Sequence, residues 1–341
     1  MHNRNLTLYI PGLFGSDAWR GADVFTGLSL ADLELMLCRG RRKQRMTQSI
    51  DGLLFELFGH AVEVGLPVAA VMHQFDLNKP TDGFCFCATP VNMQPDRDRL
   101  VMIGGDNLAV TLAEARQLAD EFNKLFAEDG LRLEVPVSNR WYLHSSTKPE
   151  ITTQPLKHVI GQNIGHYLPA GKDAMQWHAI LNEVQMLFYN SQVNERRRMS
   201  GQAEINSFWL WGEGELPVAP QNSWQHVWSN EPLSCALAKL GQNELASMPA
   251  SAEEWQEQAD QNGSHLLVFD ALAEAVAQHD IGRWREMMQT LNDEWIAPLS
   301  IALKSKSIST VRLLSDNAEF EISRKSLKRW WKRPRSFAEF K

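Results

Sequence analysis

The sequence predicts an α/β protein, a three-layer α/β/α sandwich built around a mostly parallel sheet. The first observation is a set of short apolar runs without polar alternation, the pattern of strands buried on both faces of a parallel sheet. These runs are Phe208–Trp211, Leu266–Phe269 and Thr310–Leu314. The second observation is that strands and helical stretches alternate along the chain, as right-handed crossovers between parallel strands require. A chain of 341 residues is long enough to bury the large core of such a fold.

Each element follows from a local pattern. Leu6–Ile10 is a strand that ends at Pro11-Gly12, and Ser29 and Gly40 bracket a helix. The clearest helix begins at the capping box Thr111 and Glu114, continues as an apolar stripe and ends at Gly130. The remaining predicted elements are helices at 50–58, 174–190 and 280–304 and strands at 84–88, 100–103, 131–135 and 140–143.

The predicted organisation is one large α/β domain over residues 1–323, with an α+β sub-region at 84–145, followed by a basic tail at 324–341. Seven of the 34 basic residues lie between Arg324 and Arg335, so 27 basic and 41 acidic residues remain elsewhere. Trp330 and Trp331 are adjacent and point about 100° apart on a helix, so at least one packs on the body or meets a partner. Docking onto the acidic body is the preferred interpretation, with a solvated end and polyanion binding as alternatives.

Composition excludes several classes of protein. No stretch approaches the roughly 18 consecutive apolar residues of a membrane span, and the first residues lack the apolar segment of a secretory signal. We therefore expect a cytoplasmic protein with no membrane partner. The net charge of −7 makes nucleic acid an unlikely partner. The four cysteines include only a C-x-C pair, Cys85 and Cys87, and are expected to be reduced and buried.

Ligands of open parallel sheets bind at the carboxyl ends of the strands, so residues after the apolar runs are site candidates. Gly212 and Gly214 favour either close approach of an anionic group or a plain turn. Carboxylate and imidazole groups follow the runs Leu266–Phe269 and Thr310–Leu314 and suit a divalent metal. For Asp270 the alternative role is helix capping. These metal candidates are Asp270, His279, Asp280 and Asp316. No nucleophile motif is found, so the catalytic residues stay unknown.

A polar helix face precedes the Phe208–Trp211 run. His178, Asn182 and Gln185 recur at helical spacing and lie close in sequence to further amides and tryptophans. Buried amides need partners, so this segment is either a structural network or a polar ligand pocket. The pocket candidates are His178, Asn182, Gln185, Asn194, Arg196, Asn206, Trp209, Trp211, Gly212 and Gly214.

The same residues carry a family resemblance. Several segments of the chain resemble the bacterial RpfE-type proteins. The main ones are 177–186, Val193–Arg196 and Ile205–Gly214, and the others are 88–93, Asp96-Arg97-Asp98, 140–143 and 329–334. The RpfE-type proteins are described as phosphoglycerate-mutase-like members of the alkaline phosphatase superfamily. The resemblance implies an alkaline-phosphatase-like core and phosphoryl transfer with two divalent metals, an aspartate after the first strand, a Ser or Thr nucleophile and Asp-His metal ligands.

Two departures from the family pattern weigh against catalysis. The first strand ends in Pro11-Gly12 where the catalytic members have Asp-Gly, and the chain contains no Asp-His dipeptide. The expected function is therefore that of a catalytically degenerate, regulatory phosphoglycerate-mutase-like protein that binds a small anionic or phosphorylated ligand or an unidentified protein partner, with no cofactor. The alternative is an active metal-dependent phosphomutase or phosphatase using Mn, Zn or Mg, and a weaker one is a nucleic-acid-binding regulator acting through the tail.

Overall fold

The computed structural model of the chain describes residues 4–19, 23–45, 49–60, 65–96, 99–104, 108–156, 159, 164–219 and 224–340. Arg97 and Asp98 of the family resemblance lie outside these residues. Contacts divide the chain into two compact units. Residues 1–61 and 220–341 form the parallel-sheet unit, and residues 62–219 form the antiparallel-sheet unit, which contains the sub-region expected at 84–145. One domain at 1–323 with a tail at 324–341 stays a prediction.

The strands are β1 (Arg4–Tyr9), β2 (Arg41–Gln44), β3 (Phe84–Asp96), β4 (Arg99–Gly104), β5 (Leu131–Val137), β6 (Arg140–Ser145), β7 (Ile151–Thr152), β8 (Ala170–Gly171), β9 (Ser207–Gly214), β10 (His226–Trp228), β11 (Glu244–Ala246), β12 (Gly263–Val268), β13 (Thr310–Leu314) and β14 (Ala318–Ser323). The predicted strands at 84–88, 100–103, 131–135 and 140–143 fall within these elements, and the one predicted at 6–10 matches β1 except for Ile10, which lies one residue beyond it.

The helices are α1 (Ala31–Arg39), α2 (Ile50–Leu57), α3 (Val68–Leu77), α4 (Leu112–Phe126), α5 (Ala174–Tyr189), α6 (Gln192–Met199), α7 (Pro232–Leu240), α8 (Ala252–Gln258), α9 (Ala271–Ala277), α10 (Ile281–Thr290), α11 (Ala297–Ser305) and α12 (Arg324–Leu327). A π-helical segment, Leu291–Ile296, joins α10 to α11. The capping box predicted for α4 is present, because Thr111 and Glu114 bond each other reciprocally.

The parallel-sheet unit confirms the predicted fold class. Its seven strands run in the order β11-β10-β12-β1-β13-β14-β2. The first five are mutually parallel, β14 runs antiparallel to β13, and β2 runs antiparallel to β14. Leu8 and Ile10 belong to a core shared with α1, α10 and α11. Tyr9 points to the opposite face, where its hydroxyl donates to the Ile50 carbonyl at the start of α2. Helices thus cover both faces of the sheet.

The antiparallel-sheet unit corrects one expectation. Phe208–Trp211 forms a strand, β9, but it pairs antiparallel with β3 rather than joining a parallel sheet. The run is buried because both faces of this sheet are covered. Phe208 and Leu210 pack with α4 and α5, whereas Trp209 packs with a second cluster that includes Val91 and Ile164. A continuous apolar run therefore indicates burial on two faces and does not by itself indicate strand direction.

Two further expectations can be compared with the structure. All four cysteines are free, and Cys85, Cys87 and Cys235 are buried. Within the described ranges, no helix combines the length and apolar character that crossing a membrane requires.

Candidate functional site

The carboxyl ends of the parallel strands meet at one edge of the sheet in the parallel-sheet unit. At the end of β1, the Gly12 amide donates to Asp316 Oδ2, 3.0 Å away. Gly12 has a φ of +76°, and a Cβ at this position would lie 3.0 Å from the backbone of Ala273 in α9. The turn after the first strand therefore needs glycine and closes tightly against α9.

Three carboxylates surround a buried tyrosine at this edge. Tyr9 has no exposed surface. Its burial, and then the charges of Asp316, Asp51 and Glu231, raise the pKa of Tyr9 well above its usual value. Glu231 is the N-cap of α7 and accepts hydrogen bonds from the amides of Leu233 (3.0 Å) and Ser234 (2.6 Å). Burial raises the pKa of Glu231. At least two of these carboxylates are thus bonded to backbone amides.

The four metal candidates are not gathered into one site. The Asp280 side chain caps α10 by accepting from the Arg283 amide at 2.9 Å. His279 has a φ of 57° and is exposed, with Nδ1 3.3 Å from the Ala277 carbonyl. Asp270 is the exposed N-cap residue of α9 but makes no side-chain capping bond, so the capping expected of it is also absent. Among the described residues, the group of such donors that lies close enough to share an ion contains none of Asp270, His279, Asp280 and Asp316, and a metal site built from these four stays a prediction.

The amides near β9 form a structural network in the antiparallel-sheet unit. Asn194 is fully buried, donates to the carbonyls of Phe188 and Ile205, and accepts from the Ile205 amide, each at 2.8 Å. Asn206 bonds both the amide and the carbonyl of Met93 at 2.7 Å. These bonds use the polar groups that a ligand would need, so both residues hold backbone segments together.

The other candidates have partners of their own. His178 Nε2 lies 2.8 Å from the Pro169 carbonyl. The indole of Trp209 donates to the Gln154 carbonyl (2.8 Å) and that of Trp211 to Thr89 Oγ1 (2.9 Å). The Arg196 guanidinium is exposed and donates to Gln117 Oε1 at 2.6 Å. These bonds again favour the structural interpretation of the segment.

One open cavity does bring two candidates together. It has a volume of about 670 Å³, and its lining includes Gln185 and Asn206 together with Asn92, Tyr189 and Glu204. His178, Asn182, Trp211 and Gly212 do not line it. Of the pocket candidates, this cavity therefore brings together Gln185 and Asn206, and His178 lies about two turns away from Gln185 along α5.

Gly212 and Gly214 are needed for packing. Their φ values are +64° and +156°. A Cβ on Gly212 would lie 2.9 Å from Cβ of Val68, and one on Gly214 would lie 2.6 Å from Cβ of Pro67. The start of α3 thus packs closely against these glycines, and both lie within β9 rather than in a turn after it.

A second cavity, of about 540 Å³, lies beside the C-terminal segment of the parallel-sheet unit. Four basic side chains line it and define the basic pocket: Arg42, Lys332, Arg333 and Arg335. Arg42 stacks on the Phe320 ring at 5.7 Å, and the Arg335 amide donates to Cys38 Sγ at 3.1 Å. In the described part of the chain these four side chains form no ion pair. The pocket is therefore suited to a small anion.

Sequence reasoning missed the residues that shape these two places. Glu231 precedes Pro232, and a capping residue followed by proline at N1 is a helix-start signal that was available. The basic cluster Arg39–Arg45 contains the exposed edge strand β2, which brings Arg42 beside the tail. Pairing between residues about 280 positions apart leaves no local signal.

No protein-family model matches the chain. A 2,3-bisphosphoglycerate-independent phosphoglycerate mutase of Methanothrix thermoacetophila is 29% identical over 112 residues, which are 33% of this chain and 28% of that protein. The enzyme of the same name from Methanosarcina mazei is 26% identical over 106 residues, 30% of this chain and 27% of that protein. The chain thus spans less than a third of the length of these curated relatives. Its homologues are cofactor-independent phosphoglycerate mutases at low identity.

Solved structures show the fold over nearly the whole chain. The cofactor-independent phosphoglycerate mutase from Thermoplasma acidophilum superposes with a TM-score of 0.52 and 14% identity, covering 99% of this chain and 95% of that one. A protein from Pyrococcus horikoshii superposes with a TM-score of 0.58 and 13% identity, covering 95% and 88%. The chain therefore has the α/β fold of the phosphoglycerate-mutase type, consistent with an alkaline-phosphatase-like sandwich.

Proposed function

We propose that the protein is a phosphoglycerate-mutase-like scaffold that binds a small anionic ligand in the basic pocket and does not transfer phosphoryl groups. The observation that carries this proposal is the pocket itself. Four basic side chains without ion-pair partners among the described residues line a cavity of about 540 Å³, a size typical of small-molecule sites. Its lining also includes the carboxylate of Glu339, which accepts from the Ser336 amide at 3.3 Å.

The strand ends support the absence of phosphoryl transfer. A transferring phosphoryl group needs cations that neutralise its developing charge, and those cations need free carboxylate or imidazole ligands. At this edge Asp316 and Glu231 bond backbone amides, and Pro11-Gly12 occupies the position after the first strand. Among the described residues no three carboxylate or imidazole donors converge at this edge, so the donor groups do not fit a two-metal centre and we derive no catalytic step through one.

The family resemblance adds three statements to the proposal: the protein belongs to the RpfE-type group, it has a regulatory role, and it is cytoplasmic. A regulatory ligand-binding protein needs only the scaffold and an anion site, which is why the resemblance and the basic pocket are compatible.

A second candidate is an active metal-dependent phosphomutase. One observation favours it: Asp51, Glu231 and Asp316 all act electrostatically on Tyr9, so negative charge accumulates at the edge where this fold class binds ligands. The relatives' names point to the same activity.

Binding and turnover measurements separate the two candidates. We expect calorimetry to detect 3-phosphoglycerate binding, and we expect Lys332→Ala combined with Arg333→Ala to lower the affinity at least about tenfold through loss of charge-assisted hydrogen bonds. Lys325→Ala is the matched control, because Lys325 is exposed in the same segment and does not line the pocket. Interconversion of 2- and 3-phosphoglycerate with added Mn²⁺ would establish the second candidate, and unchanged affinity in the double variant would reject the basic pocket.

A further inference from the structure

Three metal-ligating side chains converge in the antiparallel-sheet unit. They are His73 from α3, Glu134 from β5 and His144 from β6. Nε2 of His73 lies 3.1 Å and Nε2 of His144 lies 3.2 Å from the same oxygen, Oε2 of Glu134. All three ligand atoms lie within 4.8 Å of one another, a closeness that no other trio of His, Cys, Asp or Glu reaches among the residues described.

The strand register explains why these residues meet. Arg132 pairs with His144 and Glu134 pairs with Tyr142, so all four side chains project from one face of the β5–β6 hairpin. The ring of His73 packs edge-on against Tyr142 (5.3 Å) and against His144 (4.9 Å). The cluster therefore rests on two paired strands and one helix rather than on a loop.

Hydrogen bonds involving Asp76 and Arg140 fix the position of Tyr142 at the base of the cluster. The Tyr142 hydroxyl donates to Asp76 Oδ2 at 2.6 Å. The Arg140 guanidinium binds both oxygens of Asp76, at 2.8 and 2.9 Å. Asp76 is on α3, three residues after His73, so the same bonds hold this helix against β6. Such outer contacts are what preorganise metal ligands.

The buried nitrogens of the cluster are short of partners. His73 and His144 are 1% and 5% exposed. Nδ1 of both rings and Nε2 of His144 have no hydrogen-bond partner, because the approach of His144 Nε2 to Glu134 lacks hydrogen-bonding geometry. Buried polar atoms are nearly always satisfied, so an unpartnered imidazole nitrogen aimed at a carboxylate indicates a missing ligand.

We propose that His73, Glu134 and His144 bind one zinc-class divalent ion, with the fourth coordination position open to the exposed side of Glu134. Two imidazoles and a carboxylate are a known zinc donor set. Ligands about 2.0–2.1 Å from a tetrahedral ion lie roughly 3.3 Å apart, close to the separations from Glu134 Oε2.

Two basic residues compete with the ion for the same carboxylate. Lys79 Nζ lies 2.8 Å from Oε1 of Glu134, and Arg132 Nη1 lies 3.1 Å from Oε2. Their side chains are 50% and 48% exposed. Ion pairs between exposed side chains are weak, so both residues can turn to solvent when the ion binds. The proposed ion departs from the sequence-based expectation that the protein holds no metal.

Calorimetric titration of chelator-treated full-length protein with Zn²⁺ tests the proposal. We expect one ion per chain, and we expect His144→Gln and Glu134→Gln each to lower the affinity by more than the about 10–100-fold that loss of an outer-shell partner costs. His178→Gln is the matched control, because this histidine lies in the same unit and bonds the Pro169 carbonyl. Absence of binding, or equal affinity in the cluster and control variants, would overturn the site.

A spectroscopic measurement on the unsubstituted chain tests the same site without depending on whether a variant folds. Co²⁺ in place of Zn²⁺ should give the intense visible absorption of a four-coordinate site with nitrogen ligands. A weak octahedral spectrum would contradict the proposal. The chelator-treated protein should still bind 3-phosphoglycerate as before, since the basic pocket shares no residue with the cluster. Failure of either site is thus visible separately.

Discussion

Arg196 and Arg197 carry the same charge on adjacent residues of α6, yet their surroundings are opposite. Arg197 is 1% exposed. Its guanidinium pairs with Glu114 at 3.0 Å and donates to the carbonyls of Ala203 (2.7 Å) and Leu108 (2.5 Å). Arg196 is exposed and contacts Gln117. The buried arginine therefore connects α6 to α4 and to two backbone segments.

This difference predicts a large gap between two alanine variants. Arg197→Ala should lower the free energy of unfolding by about 3–5 kcal/mol, because it leaves Glu114 and two carbonyls without their partner. Arg196→Ala should change it by less than about 0.5–1 kcal/mol. Urea denaturation followed by circular dichroism measures both. Similar losses in the two variants would show that the buried network contributes little.

Residue environments were the hardest feature to predict from the sequence. Arg196 was chosen as a pocket candidate, although Val193 and Arg197 share the inward face of α6 at i, i+4 spacing. Periodicity identifies a buried face only when its members are apolar, and an arginine on that face reads as solvent-exposed. His73 and Glu134 were missed for a similar reason, since they lie 61 residues apart and form no motif.

At the scale of elements, the C-terminal segment packs on the rest of the parallel-sheet unit through a small set of aromatic side chains. The sequence suggested docking through the tryptophans, but Trp330 and Trp331 are 79% and 64% exposed. The buried residues are Phe337 and Phe340, which lie at i, i+3 on one side of a 3₁₀ turn. Phe337 stacks on Phe14 with ring centres 5.5 Å apart. A short turn after Pro334 thus aligns two rings better than adjacent tryptophans can be aligned.

Truncation of these aromatic side chains gives the second stability prediction. Phe337→Ala should cost about 3–5 kcal/mol, because it opens a cavity in a core that includes Phe14 and Trp284. Trp330→Ala should stay within about 0.5 kcal/mol of the parent, as expected for an exposed side chain. Thermal unfolding by calorimetry compares the variants. A larger effect at Trp330 would mean that the segment docks through its tryptophans in solution.

At the scale of the whole molecule, the alternation of strands and helices predicted the parallel sheet correctly, because β1, β12 and β13 are parallel neighbours. The antiparallel sheet was only partly foreseen. Its hairpin strands had local turn signals, but β9 returns to β3 from more than 110 residues away. One face of β9 is covered by helices and the other by a cluster of loop residues. The composition of β9 therefore matched that of a strand buried in a parallel sheet.

We expect the stability of the parallel-sheet unit to depend on pH through one buried histidine, His265. His265 lies in β12, opposite Leu6 of β1 and His226 of β10, and has no exposed surface. Burial, then the charges of His226 and Arg4, lower the pKa of His265 to about 4, while Asn262 and Asp260 act in the opposite direction. The unfolded chain, with a histidine pKa near 6.5, therefore binds more protons between pH 4 and pH 6.5.

Stability should accordingly rise with pH through this window and be lost as the pH falls through it. Between pH 7 and pH 5 the contribution of His265 to the free energy of unfolding should drop by about 2 kcal/mol, since one pKa unit corresponds to roughly 1.4 kcal/mol.

His265→Phe keeps a ring in the sheet and removes the titration, so its stability should fall by about 2 kcal/mol less over the same interval. His279→Gln is the control, because it removes an exposed histidine and leaves His265 in place. Urea denaturation of chelator-treated protein at pH 7, 6 and 5 measures the three curves. Parallel curves for the parent and His265→Phe would show that protonation of His265 does not oppose folding, and that other groups set the acid sensitivity.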